Sequence, residues 1–187
     1  MHDPKLELGY GATYAFDPTP ARHTLWGGGR ASRFPTMPRG PRDKRQFTER
    51  GPLQKAVLEQ THIMNSAGMC EFVFMCAPTD RVPEWINLVT GWDTTHEELN
   101  RVGERIANLR MAFAVKHGNN PAQRKIPGRI VGDPPQAAGP HAGFTIDMDT
   151  LRDEWFKEAG WDTRTSAPSR QKLESLGLKD VADALRV

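Results

Sequence analysis

The segment between Thr95 and Pro121 constrains the fold more than any other part of the sequence. Thr95 is a typical helix N-cap residue, and Glu98 three positions later completes a capping box. Apolar residues then recur every three or four positions, at Leu99, Val102, Ile106, Leu109 and Phe113. This spacing predicts an amphipathic helix with one apolar stripe facing a core. The run from Gly118 to Pro121 ends the helix, and a helix of this length indicates a mainly α fold.

Shorter helical patterns flank this segment. Residues 53–76 predict a helix that stops between Asn65 and Gly68, followed by an apolar run in which periodicity does not separate helix from strand. Three further stretches predict short helices: Val82 to Thr90, a segment capped by Asp147 or Asp149 and stopped at Gly160, and Ser169 to Leu176, with Asp180 to Leu185 as a possible last helix. Glycine and proline punctuate the intervening loop.

Residues 1–52 are rich in proline and glycine, which predicts a long irregular loop. Their aromatic residues indicate a loop that lies on a surface, and that surface need not belong to this chain. The sequence therefore divides into three parts: an irregular loop region at 1–52, a helical domain at 53–118, and a C-terminal part with a loop and short helices at 119–187.

Composition excludes several classes of protein. The 25 basic and 23 acidic residues give a net charge of +2, which argues against a nucleic-acid or anionic-membrane partner. No apolar run is long enough for a membrane-spanning helix. The two cysteines, Cys70 and Cys76, exclude a disulfide-rich scaffold and a four-cysteine metal site built from this chain alone. We therefore expect a cytoplasmic protein with reduced thiols.

Two side chains are the main candidates for chemistry. Cys70 follows Gly68 at a predicted helix end, where exposed backbone N–H groups would stabilise a thiolate. The alternative is a small buried apolar residue. His23 follows a segment that contains Pro18 and Pro20, whose rigidity would hold an imidazole in place as an acid or base. The alternative there is an ordinary surface histidine. The other five histidines do not cluster at the spacing of metal ligands and are expected to be structural or solvated.

Several segments, taken together, resemble one family, the aldehyde ferredoxin oxidoreductases, which are tungsten or molybdenum pterin enzymes. Asn65-Ser66-Ala67-Gly68-Met69-Cys70 resembles the family's Asp-x-x-Gly-x-Cys motif. Other segments resemble further family motifs in the same order: Tyr14 to His23, which resembles the loop leading to an active-site histidine; Thr90-Gly91-Trp92-Asp93 with Glu97-Glu98-Leu99; Lys125-Ile126-Pro127; and Gly160-Trp161-Asp162. The ordered set is more specific than any one segment.

The resemblance implies a role for each matching residue. Cys70 is expected to be the fourth thiolate ligand of a [4Fe–4S] cluster, beside a tungstopterin or molybdopterin. Asn65 would hydrogen-bond the pterin where the family usually has aspartate, and Met69 would offer its backbone to the pterin. His23 would lie beside the metal and transfer a proton or orient the substrate. The implied reaction is the two-electron oxidation of an aldehyde to a carboxylic acid, with ferredoxin as the electron acceptor.

The same resemblance implies parts that this sequence does not contain. In the family, three further cluster cysteines, a β-rich domain and an active-site glutamate precede the matching region. The chain resembles the C-terminal third of such an enzyme, so we expect an N-terminal portion or partner subunit and no activity from this chain alone. The alternative is a non-catalytic helical binding module, or an inactive remnant of the enzyme.

Overall fold

The structure, a computed structural model, describes residues 2–25 and 35–187. These residues form nine α-helices and three short 3-10 turns, which confirms the mainly α fold. The helices are α1 (Leu8–Phe16), α2 (Gly51–Ser66), α3 (Glu71–Cys76), α4 (Val82–Thr90), α5 (His96–Lys116), α6 (Gly128–Val131), α7 (Met148–Ala159), α8 (Arg170–Ser175) and α9 (Lys179–Leu185). None of these helices is long and apolar enough to cross a membrane.

Local side-chain chemistry sets most helix ends where the sequence predicts them. The Thr95 hydroxyl accepts from the Glu98 backbone N–H at 3.2 Å, and the Glu98 carboxylate accepts from the Thr95 N–H at 2.9 Å. Asp147, rather than Asp149, begins α7, because its carboxylate accepts from the Thr150 N–H at 3.0 Å. Glycines with positive φ follow α2, α4 and α7: Gly68, Gly91 and Gly160.

The buried face of α5 differs from the predicted apolar stripe. Leu99 is buried as expected, but the Leu109 and Phe113 side chains are 46% and 66% exposed. Four of the buried residues of α5 are glycine or alanine. The buried residues are Leu99, Gly103, Ala107, Asn108, Met111, Ala112 and Ala114. The prediction of a stripe through Phe113 is therefore wrong at that end. Apolar periodicity selects large side chains, whereas this helix approaches its neighbour through small ones.

The approach of α5 to α2 is closest at Gly103. A Cβ atom there would overlap the Glu59 carbonyl oxygen and lie 2.8 Å from the Glu59 carbonyl carbon. The two helices therefore pack backbone against backbone, and α7 also packs against α2. Their apolar side chains join those of α1 in one core, which includes Leu8, Phe16, Leu58, Ala107, Met111, Trp155 and Phe156.

We expect Gly103→Val to lower the free energy of unfolding by about 1–3 kcal/mol or more, because the helix backbones must separate to admit the side chain. Gly103→Ala should also destabilise, since the overlap outweighs the gain in helix propensity of up to ~1 kcal/mol. Urea denaturation measures both. The control is Glu97→Val, which places the same β-branched side chain at an exposed position of α5. Equal losses for Gly103→Val and Glu97→Val would contradict the close approach.

The N-terminal part contains a helix that the sequence analysis missed. Helix α1, at Leu8–Phe16, lies inside the region that was predicted to be an irregular loop. Every residue of α1 except Tyr10 is buried, and the helix packs against α7 of this same chain. The prediction that residues 1–52 are wholly irregular is wrong for these residues. The surface on which they lie belongs to this chain. Two glycines in nine residues, Gly9 and Gly11, weakened the helical signal. The division of the chain into three parts stays a prediction.

Candidate functional site

Cys70 lies in the short connection between α2 and α3, and its thiol is free and exposed. The alternative of a buried apolar cysteine is therefore wrong. The prediction that N–H groups at the end of α2 stabilise a Cys70 thiolate is also wrong. The end of α2 exposes carbonyl groups, and the N–H groups nearest Cys70 belong to α3, which begins at the next residue. Cys76, at the other end of α3, is likewise free and exposed.

The two neighbours predicted to contact a pterin differ in their surroundings. Asn65 lies in the last turn of α2 with an exposed side chain. Met69 is half-buried against a small apolar cluster that includes Ile63 and Trp85. The Met69 backbone N–H donates to the Met64 carbonyl at 3.1 Å. The Met69 N–H is therefore already bonded within this chain.

His23 begins a 3-10 turn that ends at Leu25. The His23 side chain is exposed, whereas Leu25 is completely buried in the main core. The turn therefore presents the imidazole at the surface from a fixed point. An exposed imidazole on an anchored loop is accessible to a reacting molecule, as an acid or base must be.

A second imidazole lies beside His23, and the sequence analysis did not single it out. The ring centroids of His2 and His23 are 5.6 Å apart, and the His2 ring stacks on Tyr10 at 4.9 Å. The Tyr14 hydroxyl accepts from the His2 backbone N–H at 3.1 Å, which holds the segment in place. Tyr10 and Tyr14 are four residues apart on α1, so they share one face. That aromatic face is the signal that could have indicated where the imidazoles pack.

Electrostatics connect the His23 loop with the segment of Cys70. Burial raises the pKa of Glu71, the residue after Cys70, and the positive charges of Arg22 and His2 oppose this shift. The positive charges of His2 and of Arg22, which precedes His23 in the sequence, therefore act on the residue that follows Cys70.

A cavity of about 340 Å³ opens next to the imidazole pair. Its wall includes His2, Tyr14 and Arg129, together with Lys5, which is ion-paired to Asp3 at 3.0 Å. This volume is at the lower end of the roughly 300–1,000 Å³ that small-molecule sites occupy. The cavity is therefore of a size for a small polar molecule.

The described residues fit one ligand of an iron–sulfur cluster and not a complete set. A cluster of this type needs four thiolates, and this chain has two cysteines at opposite ends of α3. Within residues 2–25 and 35–187, no three His, Cys, Asp or Glu side chains come together in a group that could hold a metal ion. Cys70 is exposed and can supply one thiolate, so any remaining ligands must come from outside this chain.

Comparison with known proteins identifies matching relatives. Residues 1–178 match the family model described as aldehyde ferredoxin oxidoreductase, domains 2 and 3. A tungsten-containing aldehyde ferredoxin oxidoreductase of Pyrococcus furiosus is 32% identical over 121 residues, 64% of this chain and 20% of that protein. The enzyme of the same name from Thermococcus kodakarensis is 29% identical over 119 residues, 63% of this chain and 19% of that protein.

One solved structure has a similar fold. It is entitled the active site complex BamBC of benzoyl coenzyme A reductase in complex with 1,5-dienoyl-CoA. The likeness covers 91% of this chain and 30% of that chain, with a TM-score of 0.59 and 17% sequence identity, which supports the fold alone. The chain spans about a fifth of the length of the curated relatives that it matches.

Proposed function

Since the chain belongs to the aldehyde ferredoxin oxidoreductase family, we propose that it is the C-terminal portion of a tungsten- or molybdenum-pterin enzyme that oxidises aldehydes to carboxylic acids, with ferredoxin as the electron acceptor. The rest of such an enzyme would come from an N-terminal portion or a partner subunit. The observation that supports this best is the match of residues 1–178 to the family model, in a chain whose Cys70 thiol and His23 imidazole are both exposed.

In this proposal each residue of the chain has a distinct task. Cys70 provides the fourth thiolate of a [4Fe–4S] cluster, and Asn65 and the Met69 carbonyl face the pterin. The metal and the cluster, when bound, supply the chemistry of electron transfer from the aldehyde to ferredoxin. Conversion of an aldehyde and water to a carboxylic acid releases two electrons and two protons, and His23 accepts a proton at its imidazole. The cavity beside His2 has the size that a small aldehyde needs.

The proposal places this reaction in the cytoplasm, because exposed unpaired thiols such as those of Cys70 and Cys76 stay reduced there. It is tested by purifying the tagged chain from its native cells without oxygen, measuring iron, tungsten and molybdenum, and identifying the chains that co-purify. Iron and a pterin metal together with a cysteine-bearing partner support it. A metal-free monomer would instead support the non-catalytic module or remnant.

Replacement of Cys70 tests the cluster directly. We expect Cys70→Ser to remove or alter the electron paramagnetic resonance signal of the reduced cluster in the assembled enzyme, because a thiolate ligand is lost. Iron content should fall by up to about a quarter per cluster if one iron leaves with its ligand. Cys76→Ser is the matched control, since Cys76 is equally free and exposed. An unchanged signal in Cys70→Ser would remove Cys70 from the ligand set.

A further inference from the structure

A buried ion pair holds the start of the loop that leads to His23. Asp17 caps the C-terminal end of α1, and its side chain is completely buried. Arg110 of α5 binds both carboxylate oxygens: Nη2 lies 3.0 Å from Oδ1 and Nη1 lies 3.1 Å from Oδ2. This two-point contact fixes the orientation as well as the distance of the two groups.

The same guanidinium contacts two more elements. Arg110 Nη2 donates to the Thr19 hydroxyl at 2.8 Å, and Nη1 contacts Nε2 of His62 on α2 at 2.9 Å. Because a guanidinium only donates, His62 Nε2 must accept, so the His62 ring is neutral with its proton on Nδ1. Arg110 therefore connects α5, α2, the end of α1 and the loop through one planar group.

Other contacts complete the anchoring of this loop. Arg124 Nη1 donates to the carbonyls of Ala15 and Asp17, each at 2.7 Å. Ala21 has the left-handed backbone conformation, with φ of 59°, which a residue with a side chain rarely adopts. Its N–H donates to the Tyr14 carbonyl at 3.1 Å. With Leu25 buried beyond His23, the loop is held at both ends in a conformation that it would not favour alone.

We propose that Arg110, acting through Asp17 and Thr19, is a positioning residue that sets where the His23 imidazole lies relative to the imidazole of His2. This inference rests on the proposed function, in which His23 handles a proton. A buried ion pair adds little net stability, because removing two charges from water offsets most of their attraction. The fixed geometry of a planar fork is what lysine at position 110 would not reproduce.

The first test uses the full chain and needs no metal. We expect Arg110→Lys to shift the nuclear magnetic resonance signals of the His23 and His2 rings, assigned with His23→Gln and His2→Gln. The matched control is Asn108→Ala on the same helix, which removes the 2.9 Å hydrogen bond from Trp161 in the core. Unchanged His23 and His2 signals in Arg110→Lys, or equal changes in the control, would overturn the proposal.

A second variant covers the case in which Arg110→Lys does not fold. Thr19 is exposed, so Thr19→Ala removes one contact of Arg110 and leaves the core intact. The same ring signals should shift by a smaller amount, and unchanged signals would overturn the role of this contact.

The second readout is the steady-state kinetics of the assembled enzyme. We expect Arg110→Lys to lower kcat by about tenfold or more with KM nearly unchanged, because a displacement of about 1 Å at a reacting group can cost as much as 100-fold. Asn108→Ala should keep kcat. Loss of kcat in both variants would assign Arg110 a merely structural role. If His23→Gln keeps full activity, the proposed role of His23 fails, while the resonance shifts still decide whether Arg110 positions the loop.

Discussion

Replacement of His23 by glutamine is expected to lower kcat of the assembled enzyme by roughly 10²- to 10⁴-fold, the range that general acid–base groups supply. Glutamine fills a similar space and can form hydrogen bonds, but it cannot take up the proton that aldehyde oxidation releases. KM should change little, because His23 is exposed and its replacement leaves the cavity wall beside it intact. The rate with a saturating aldehyde and an artificial electron acceptor measures the effect.

The pH dependence of kcat separates proton transfer from substrate orientation. If His23 moves the proton, the acidic limb of the profile should disappear in His23→Gln. If it only orients the aldehyde, the limb should persist at a reduced rate. His117→Gln is the control, since this exposed histidine contacts Phe113 at the far end of α5. A wild-type rate in His23→Gln would remove His23 from the chemistry altogether.

Local chemistry explains which parts of the fold the sequence predicts. The ends of α5, α7 and α4 depend on caps and glycines within a few residues. Thr95 and Gly91 were sufficient to place two of them, whereas the sequence left Asp147 and Asp149 as alternatives for the start of α7. The face that α5 buries depends on its partner α2, where Glu59 is 44 positions from Gly103. The periodicity of large apolar side chains contains no information about such a backbone contact.

In the candidate site, too, some features follow from neighbouring residues and others only from packing between distant segments. The motif at Cys70 and the rigid segment before His23 could each be recognised from neighbouring residues. The pairing of His2 with His23 arises from packing between segments 21 positions apart, so no local pattern predicts it. Arg110 lies 93 residues from Asp17 and was not singled out at all. Its charge is an ordinary feature of a helix surface until the structure places a buried carboxylate opposite it.

Two buried groups on α2, His62 and Glu59, are expected to change the free energy of unfolding with pH in opposite directions. Burial and the Arg110 charge lower the pKa of His62 from 6.5 to about 3. The unfolded chain therefore binds a proton at His62 below pH 6.5 that the folded chain does not bind. The free energy of unfolding should fall as the pH is lowered from 6.5 towards 3, by roughly 5 kcal/mol in all.

Glu59 acts in the opposite direction. Burial raises its pKa from 4.5 to about 7, although the Lys55 ammonium, 2.8 Å from the carboxylate, opposes the shift. Between these values the folded chain keeps a proton that the unfolded chain releases. The free energy of unfolding should therefore fall by roughly 3 kcal/mol as the pH rises from 4.5 to 7.

Between about pH 4.5 and 6.5 the two slopes have opposite signs and nearly equal size, so these groups together should leave the stability of the wild type almost constant. Single variants should expose each slope. His62→Gln should lose stability as the pH rises through this interval, and Glu59→Gln should gain stability, each by roughly 3 kcal/mol. The double variant should be flat again. Urea denaturation at several pH values, followed by tryptophan fluorescence, measures all four profiles. If the free energy of unfolding of a single variant varied as little with pH as that of the wild type, the replaced residue, His62 or Glu59, would not have the shifted pKa that its burial implies.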